Sequence, residues 1–187
     1  MKIIETEIAG LLIIEPKVFA DDRGYFFESY NEDAWRKAGF PDIDFIQDNE
    51  ARSTKGVIRG LHYQLAPYSQ SKLVRVIHGK VFDVAVDLRK GSPTFGKWFG
   101  TELSAENKRQ FFVPKGFAHG YSVLSGEAVF AYKCDDYYHP EAERGIALDD
   151  PDLGIDWKVT VNPTLISEKD KQHPLFKDAE INFKVFV

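Results

Sequence analysis

Short apolar runs separated by turn-forming residues follow one another along most of the chain. They occupy residues 11–14, 25–30, 72–77, 81–86, 97–103, 110–113, 120–124 and 128–133. Many are rich in β-branched and aromatic residues, which favour pleated, half-buried surfaces. This spacing predicts an all-β fold, a sandwich or barrel of antiparallel strands. Residues 81–86 (VFDVAV) alternate only partly, which predicts a strand covered on both faces.

Helix signals are few. Asn31 is a suitable N-cap for a short helix that ends at Gly39. Residues 104–107 predict a turn or a single helical turn, and residues 167–170 a short helix or a loop. The last residues, with Ile181, Phe183 and Phe186, are too apolar for a frayed tail, so we expect them to pack on the body or on a partner subunit.

Composition narrows the class of protein. The chain has 187 residues, of which 43% are apolar and 28% charged, as expected of one folded domain spanning residues 1–187. The net charge of −5 disfavours bulk nucleic-acid binding, and the single Cys134 excludes an internal disulfide or a cysteine-rich zinc site. No apolar run is long enough to cross a membrane, and no signal pattern opens the chain. We therefore predict a cytoplasmic protein.

Polar and ionisable residues interrupt the apolar runs. The densest case is residues 57–64 (VIRGLHYQ), where strand alternation places Arg59 on one face and His62 on the other. Lys72, His119 and Tyr132 lie in or beside other predicted strands. In a barrel, inward polar side chains from separate strands meet in one cavity. These residues are therefore candidates for a site.

Each candidate also has an ordinary structural interpretation. A histidine near a strand is more often a hydrogen-bonded structural residue than a catalyst. Lys72 alone would be an exposed edge residue that discourages strand pairing, and Tyr132 alone a core residue whose hydroxyl reaches a partner. Asp170 alone would be a helix or turn residue.

A metal site is a further alternative. His62 and His119 lie on different segments, and Asp83 or Glu127 would have to join them. Metal-binding β-barrels of this kind usually supply a His-x-His pair, but here Gln64 stands where the second histidine would be. Zinc and iron sites need three or four ligands. We therefore predict no metal.

Longer segments resemble one known family, dTDP-4-dehydrorhamnose 3,5-epimerase, from about residue 9 to residue 173. Individually weak but jointly specific, the segments are EPKVFADDRG (15–24), FFESY (26–30), FIQDN (45–49), RGLHYQ (59–64), KLVR (72–75), DVAVD (83–87), SPTFG (92–96), FVPKGFAHG (112–120), YY (137–138) and SEKD (167–170). The resemblance implies a cupin-type jelly roll or β-barrel, a homodimer with its N-terminal segment exchanged, no metal or organic cofactor, and a place in dTDP-L-rhamnose synthesis.

The resemblance also implies roles for individual residues. His62 is the base, Asp170 orients it, Tyr132 is the acid and Lys72 stabilises the enolate that forms at the C4 ketone of the sugar. Substrate-binding positions are matched by Arg23, Glu28, Gln47, Asn49, Arg59, His119, Tyr138, Glu143 and Lys169. Around Glu143 the alignment is blurred by one residue, so Glu141 is an alternative there. Arg23 and Glu28 belong to the segment that we expect to cross to the partner subunit.

The leading hypothesis is therefore a cofactor-independent epimerase of dTDP-4-dehydro-6-deoxy-D-glucose at C3 and C5. One alternative is a sister enzyme that inverts only C3 or C5 of another dTDP-4-keto-deoxysugar. Another is a non-catalytic sugar-nucleotide binding module, and a third is a ketoisomerase of the same fold.

Overall fold

The structure, a computed structural model, describes residues 1–185. Its strands are β1 (Lys2–Glu5), β2 (Leu12–Glu15), β3 (Phe19–Asp21), β4 (Gly24–Phe26), β5 (Gln47–Thr54), β6 (Ile58–Gln64), β7 (Lys72–His78), β8 (Lys80–Asp87), β9 (Trp98–Ser104), β10 (Gln110–Val113), β11 (Phe117–Val123), β12 (Glu127–Cys134) and β13 (Glu143–Gly145). One α-helix, α1 (Glu32–Lys37), and four 3₁₀ turns complete it: Pro140–Ala142, Pro163–Leu165, Asp170–Gln172 and Phe176–Asp178.

Two antiparallel sheets face each other. One has six strands in the order β1-β2-β10-β7-β12-β5, and the other has five in the order β13-β6-β11-β8-β9. Side chains of both sheets share one buried cluster, for example Val74 and Phe111 of the first and Ala85 and Leu103 of the second. The sandwich thus closes over an apolar core at its centre. Strands β3 and β4 form a separate hairpin.

Each sheet is also covered on its outer face. Trp35 of helix α1 packs against Phe40, which in turn packs on Phe112 of the six-stranded sheet, within one buried cluster. The segment that follows β13 covers the five-stranded sheet, where Trp157, Ile181 and Phe183 pack against that sheet's outward residues. Strand β8 therefore has apolar neighbours on both sides, and every residue from Val81 to Asp87 is buried. This confirms the interpretation of its incomplete alternation.

The strand and helix predictions are largely confirmed, with differences at the boundaries. Residues 25–30 were expected to form one strand, but β4 ends at Phe26. The strand predicted at 120–124 begins at Phe117. The predicted cap of α1 is present, because the Asn31 side chain accepts a hydrogen bond from the Ala34 amide. Burial of Ile181 and Phe183 confirms packing of the C-terminal residues on the body, while Phe186 lies outside the described residues.

The prediction that residues of β6 alternate strictly between its two faces is wrong. Arg59 pairs with Tyr121 and His62 pairs with His119, so β6 contains one more residue than β11 between these two pairs. Such a bulge brings residues an odd number apart onto one face. Gly60 permits it, since its φ is +122° and an added Cβ would lie 2.6 Å from the Gly120 Cα. Arg59 and His62 consequently face the same cavity.

Within residues 1–185, no helix has both the length and the apolar composition needed to cross a membrane.

Truncation of Leu103 should cause a large loss of stability, because its side chain is fully buried between the sheets. Leu103→Ala should lower the free energy of unfolding by about 2–5 kcal/mol, because transfer and cavity terms add. Urea denaturation followed by fluorescence measures this loss. Val161→Ala, at a position that is 38% exposed, is the control and should stay within about 0.5 kcal/mol. Equal losses in both variants would contradict the assigned core.

Candidate active site

Two adjoining cavities, each of about 230 Å³, open between the sheets at one end of the sandwich. His62, Lys72 and Tyr132 line both of them. His62 comes from β6 of the five-stranded sheet, whereas Lys72 and Tyr132 come from β7 and β12 of the six-stranded sheet. The inner faces of opposite sheets therefore meet around one space.

The imidazole of His62 is held by Asp170. The His62 Nε2 lies 2.7 Å from the Asp170 Oδ1, and the second carboxylate oxygen accepts a 3.4 Å hydrogen bond from the Gly60 amide. Burial raises the pKa of Asp170, but the hydrogen bond and charge of His62 outweigh it, so this pKa lies below its ordinary value. An ionised Asp170 keeps the proton of His62 on Nε2 and leaves Nδ1 free to accept one.

Lys72 and Tyr132 face His62 from the other sheet. The Lys72 Nζ lies 5.8 Å from the centre of the Tyr132 ring. Burial lowers the pKa of Lys72 and raises that of Tyr132. Strand β7 lies between β10 and β12, so Lys72 is not on an edge strand, and its alternative interpretation as an exposed edge residue is wrong. A base, a phenol and an ammonium thus surround one cavity.

The inner cavity continues past these three residues to His119 and Arg59. The His119 Nε2 lies 2.7 Å from the Asp83 Oδ1, and the Arg59 Nε donates a 2.9 Å hydrogen bond to the Ser53 Oγ. Burial raises the pKa of Asp83, although His119 and Lys72 oppose that shift. Arg59 places a guanidinium in the same cavity as Lys72.

His62 and His119 do not form the metal site considered from the sequence, because each binds a different carboxylate, Asp170 and Asp83. Glu127 binds the exposed Arg52 instead.

The outer cavity contains most of the other predicted binding residues. Gln47 and Asn49 of β5 line it together with Tyr138 and Glu143. The Glu143 carboxylate accepts hydrogen bonds from the Tyr138 hydroxyl and the Lys169 ammonium. Glu141 is exposed and pairs with His139, so the geometry favours Glu143 over Glu141 as the cavity residue.

Four predicted site residues line neither cavity: Asp170 and Lys169 bind the lining residues His62 and Glu143, whereas Arg23 and Glu28 lie away from both cavities in the single chain. Arg23 sits in the β3–β4 hairpin, where its guanidinium binds Asp21 and is 89% exposed. Glu28 accepts a hydrogen bond from Asn31. Neither lines the space around His62.

The structure also places Gln64 and His173 at the site, although neither was predicted to have a role there. The carboxamide of Gln64 donates to the Tyr68 and Tyr137 carbonyls and accepts from the His139 amide, which ties together two loops at the cavity mouth. His173 packs edge-on against His62, with ring centres 5.5 Å apart. Two-residue spacing from His62 signalled an inward Gln64, whereas no sequence pattern signalled His173.

The sequence profile of the dTDP-4-dehydrorhamnose 3,5-epimerase family matches residues 5–178. The dTDP-4-dehydrorhamnose 3,5-epimerase of Shigella flexneri is 56% identical over 180 residues, which cover 96% of this chain and 98% of that protein. The enzyme of the same name from Pseudomonas aeruginosa is 55% identical with the same coverage.

Solved structures agree. The dTDP-6-deoxy-D-glucose-3,5-epimerase of Legionella pneumophila, in complex with dTDP-4-keto-L-rhamnose, has a TM-score of 0.88 and 54% identity over 95% of this chain and 93% of that one. A 3′-monoepimerase of Streptomyces bikiniensis, in complex with dTDP-quinovose, has a TM-score of 0.84 and 34% identity over 91% of this chain and 85% of that one. The predicted cupin-type fold is thus confirmed, and the chain belongs to the dTDP-4-dehydrorhamnose 3,5-epimerase family.

Proposed function

We propose that this chain converts dTDP-4-dehydro-6-deoxy-D-glucose to dTDP-4-dehydro-L-rhamnose by epimerisation at C3 and C5, without metal or organic cofactor, as a step in dTDP-L-rhamnose synthesis. The observation that carries the proposal is the shared cavity of His62, Tyr132 and Lys72, with His62 and Tyr132 on opposite sheets. Membership of the family and likeness to the Legionella enzyme support it.

The chemistry requires groups on two faces of a sugar ring. The hydrogens on C3 and C5 are both α to the C4 ketone, so removal of either gives an enolate with its charge on the C4 oxygen. Return of a proton to the opposite face inverts the carbon. An acid and a base on opposite walls of one cavity meet this requirement.

His62 is the base in this scheme. Its Nδ1 takes the proton from carbon while the Asp170 carboxylate, 2.7 Å from Nε2, stabilises the imidazolium that forms. A neutral imidazole is available near pH 7, because the ordinary pKa of histidine is about 6.5.

Tyr132 and Lys72 supply the acid and the cation. Burial raises the pKa of Tyr132, so its phenol keeps the proton until the enolate forms on the opposite wall. The Lys72 ammonium attracts a negative oxygen more strongly in a partly buried site than it would in water. Because that charge develops only during reaction, its stabilisation acts mainly on kcat.

The outer cavity is the proposed site of the nucleotide. Tyr138 offers an aromatic face for the thymine ring, and Gln47 and Asn49 offer amide groups for its edge. Arg59 and His119 bind the diphosphate side of the sugar, since a guanidinium fork matches phosphate oxygens. Glu143 and Lys169 complete this wall as a bonded pair.

A homodimer completes the proposed site. The β3–β4 hairpin exposes Phe19 and Phe26 along with Arg23, as a surface that packs on another subunit would. Arg23 and Glu28, which do not line their own chain's cavities, would then reach those of the partner. In this proposal residues 1–187 form a single domain whose N-terminal segment is exchanged, and the enzyme is cytoplasmic.

A second candidate function is inversion of one carbon only. The similarity to the 3′-monoepimerase of Streptomyces bikiniensis favours considering it. The same acid and base would serve both reactions, so the products must decide.

Turnover in D₂O tests the proposed function. Deuterium should enter both C3 and C5, because each carbon loses its hydrogen and regains one from an exchangeable group, and NMR of the product reports each position. Label at one carbon would favour the single-carbon epimerase. No label at either carbon, with tight dTDP binding, would leave the non-catalytic binding module.

The base and acid assignments have separate signatures in the same assay. His62→Asn should lower exchange roughly 100- to 10,000-fold, the usual contribution of a general base. Tyr132→Phe should still exchange deuterium on the face of His62 but lose inversion. Full activity of His62→Asn would contradict the assigned base, and normal inversion by Tyr132→Phe would contradict the assigned acid.

The contacts of Tyr138 in the outer cavity predict a raised pKa for this residue. The hydrogen bond to Glu143, together with burial and the carboxylate charge, raises the pKa of Tyr138 to about 12. Glu143→Gln should lower this pKa toward the ordinary value of about 10, because the phenolate then no longer faces a carboxylate. NMR titration of ¹³C-tyrosine-labelled protein measures it, with Tyr138→Phe to assign the resonance. Glu141→Gln is the matched control, and an equal shift there would contradict the pairing.

Subunit complementation tests the exchanged segment. Arg23→Ala and His62→Asn should each be nearly inactive alone. In their mixed dimer one site combines His62 with the partner's intact Arg23, so statistical mixing should restore about a quarter of wild-type activity. Remixing after mild denaturation, followed by the activity assay, measures this. Mixed dimers that form without regaining activity would show that Arg23 does not act across subunits.

A further inference from the structure

His173 gives the proposed base a second nitrogen neighbour. Its ring meets that of His62 nearly at a right angle, 87°, with centres 5.5 Å apart. One donor atom each from His62, Asp170 and His173 lie within 4.8 Å of one another. We propose that these three residues form a binding site for a first-row divalent cation such as Zn²⁺, and that its occupancy switches the base off.

The donor set suits such an ion. Two imidazole nitrogens and one carboxylate oxygen are ordinary zinc ligands, and three protein ligands leave a fourth position open. Tetrahedral bonds of about 2.0–2.2 Å place ligand atoms roughly 3.4 Å apart. The His62 Nε2 and the Asp170 Oδ1, now 2.7 Å apart, would therefore need to open by about 0.7 Å. The His173 donor would need to close by no more than about 1.4 Å, which a shift of its ring would provide.

The surroundings already bring the three side chains together. Asp170 is 5% exposed, its second oxygen accepts from the Gly60 amide, and its own amide donates to the Ser167 Oγ at 3.1 Å. The ring of His173 lies flat over Gly145, where an added Cβ would come within 2.2 Å of it. The His173 Nδ1 is buried without a hydrogen-bond partner in the described structure. An unsatisfied buried nitrogen beside a paired histidine and carboxylate is what a metal ligand would relieve.

A bound metal ion would remove the base because it changes which nitrogen of His62 carries the proton. Zinc would bind the His62 Nε2 and the Asp170 Oδ1 in place of the hydrogen bond between them, and the proton now on Nε2 would move to Nδ1. With the metal on Nε2, a neutral imidazole carries its hydrogen on Nδ1. That nitrogen then has no lone pair for the substrate.

The other histidines offer fewer donors. His78 lies 3.7 Å from Glu127, His139 lies 3.1 Å from Glu141, and His119 has only Asp83. Within residues 1–185, only the group around His62 brings three such donors together. His78 therefore serves as a matched control for adventitious surface binding.

Cobalt(II) binding to the full-length protein tests the site directly, after chelator treatment and without substrate. Wild type should bind one Co²⁺ per chain with the intense visible bands of tetrahedral coordination, and Zn²⁺ should displace it. His173→Gln should weaken binding at least tenfold, whereas His78→Gln should leave it unchanged. Weak octahedral bands, or equal affinity in His173→Gln, would overturn the proposal. If His173→Gln is unstable, His173→Asn replaces it.

The inhibitory consequence rests on the proposed function and has its own assay. Zn²⁺ should suppress deuterium exchange, and EDTA should restore it. Relative to its own activity in EDTA, His173→Gln should need at least tenfold more Zn²⁺ for the same fractional loss, while His78→Gln should match wild type. Equal zinc sensitivity of all three proteins would overturn the switch. A tetrahedral cobalt spectrum in a protein without exchange activity would instead reject the epimerase assignment and retain the metal site.

Discussion

The hydrogen bond between His62 and Asp170 joins parts of the chain that are 108 residues apart. Strand β6 belongs to the five-stranded sheet, whereas Asp170 lies in the segment that covers the outer face of that sheet. The carboxylate reaches the imidazole because the bulge at Gly60 turns an amide toward Asp170 and aims His62 into the sandwich. The orientation of the proposed base therefore depends on packing of the C-terminal segment, with Trp157 and Ile181 buried in it. Loosening this layer would disturb catalysis without touching the cavity.

Burying several ionisable groups at the end of a β-sandwich has an electrostatic cost. Lys72 and Asp83 both have pKa values shifted toward the neutral form by burial, and each opposes the other's shift. His119 adds a hydrogen bond to Asp83. Removing one member of such a set leaves an uncompensated charge, which usually costs more than the set contributes. The arrangement thus keeps the Lys72 cation in the cavity that is the proposed site of the enolate, and the apolar cluster around Phe111 and Phe130 contributes the stability that the ionisable groups do not.

The sequence predicted the fold class because periodicity survives wherever one face of a strand is buried, as in β7 and β12. It missed β5, whose residues Gln47–Thr54 are almost all polar, because that strand lies at the edge of its sheet and has a solvent-exposed face. It placed Arg59 and His62 on opposite faces because a bulge changes alternation without leaving a periodic signal. The pairing of Asp170 with His62 was predicted from the family resemblance and not from the pattern of apolar and polar residues. The contact of His173 with His62 was predicted from neither, since it is set by the path of a loop.

Charge balance in the outer cavity bears on the need for a second subunit. A nucleoside diphosphate sugar carries about two negative charges, which proteins usually meet with guanidinium or ammonium groups. Among the described residues, Lys169 at this wall is already bound to the Glu143 carboxylate, which leaves Arg59 of the inner cavity as the guanidinium proposed for the diphosphate. The wall of the outer cavity thus presents aromatic and amide groups that suit thymine, but its nearest cation, Lys169, is neutralised by Glu143. A second guanidinium from another subunit would improve this balance, and Arg23, which binds Asp21 on an exposed hairpin with an apolar surface, has the chemistry to supply it.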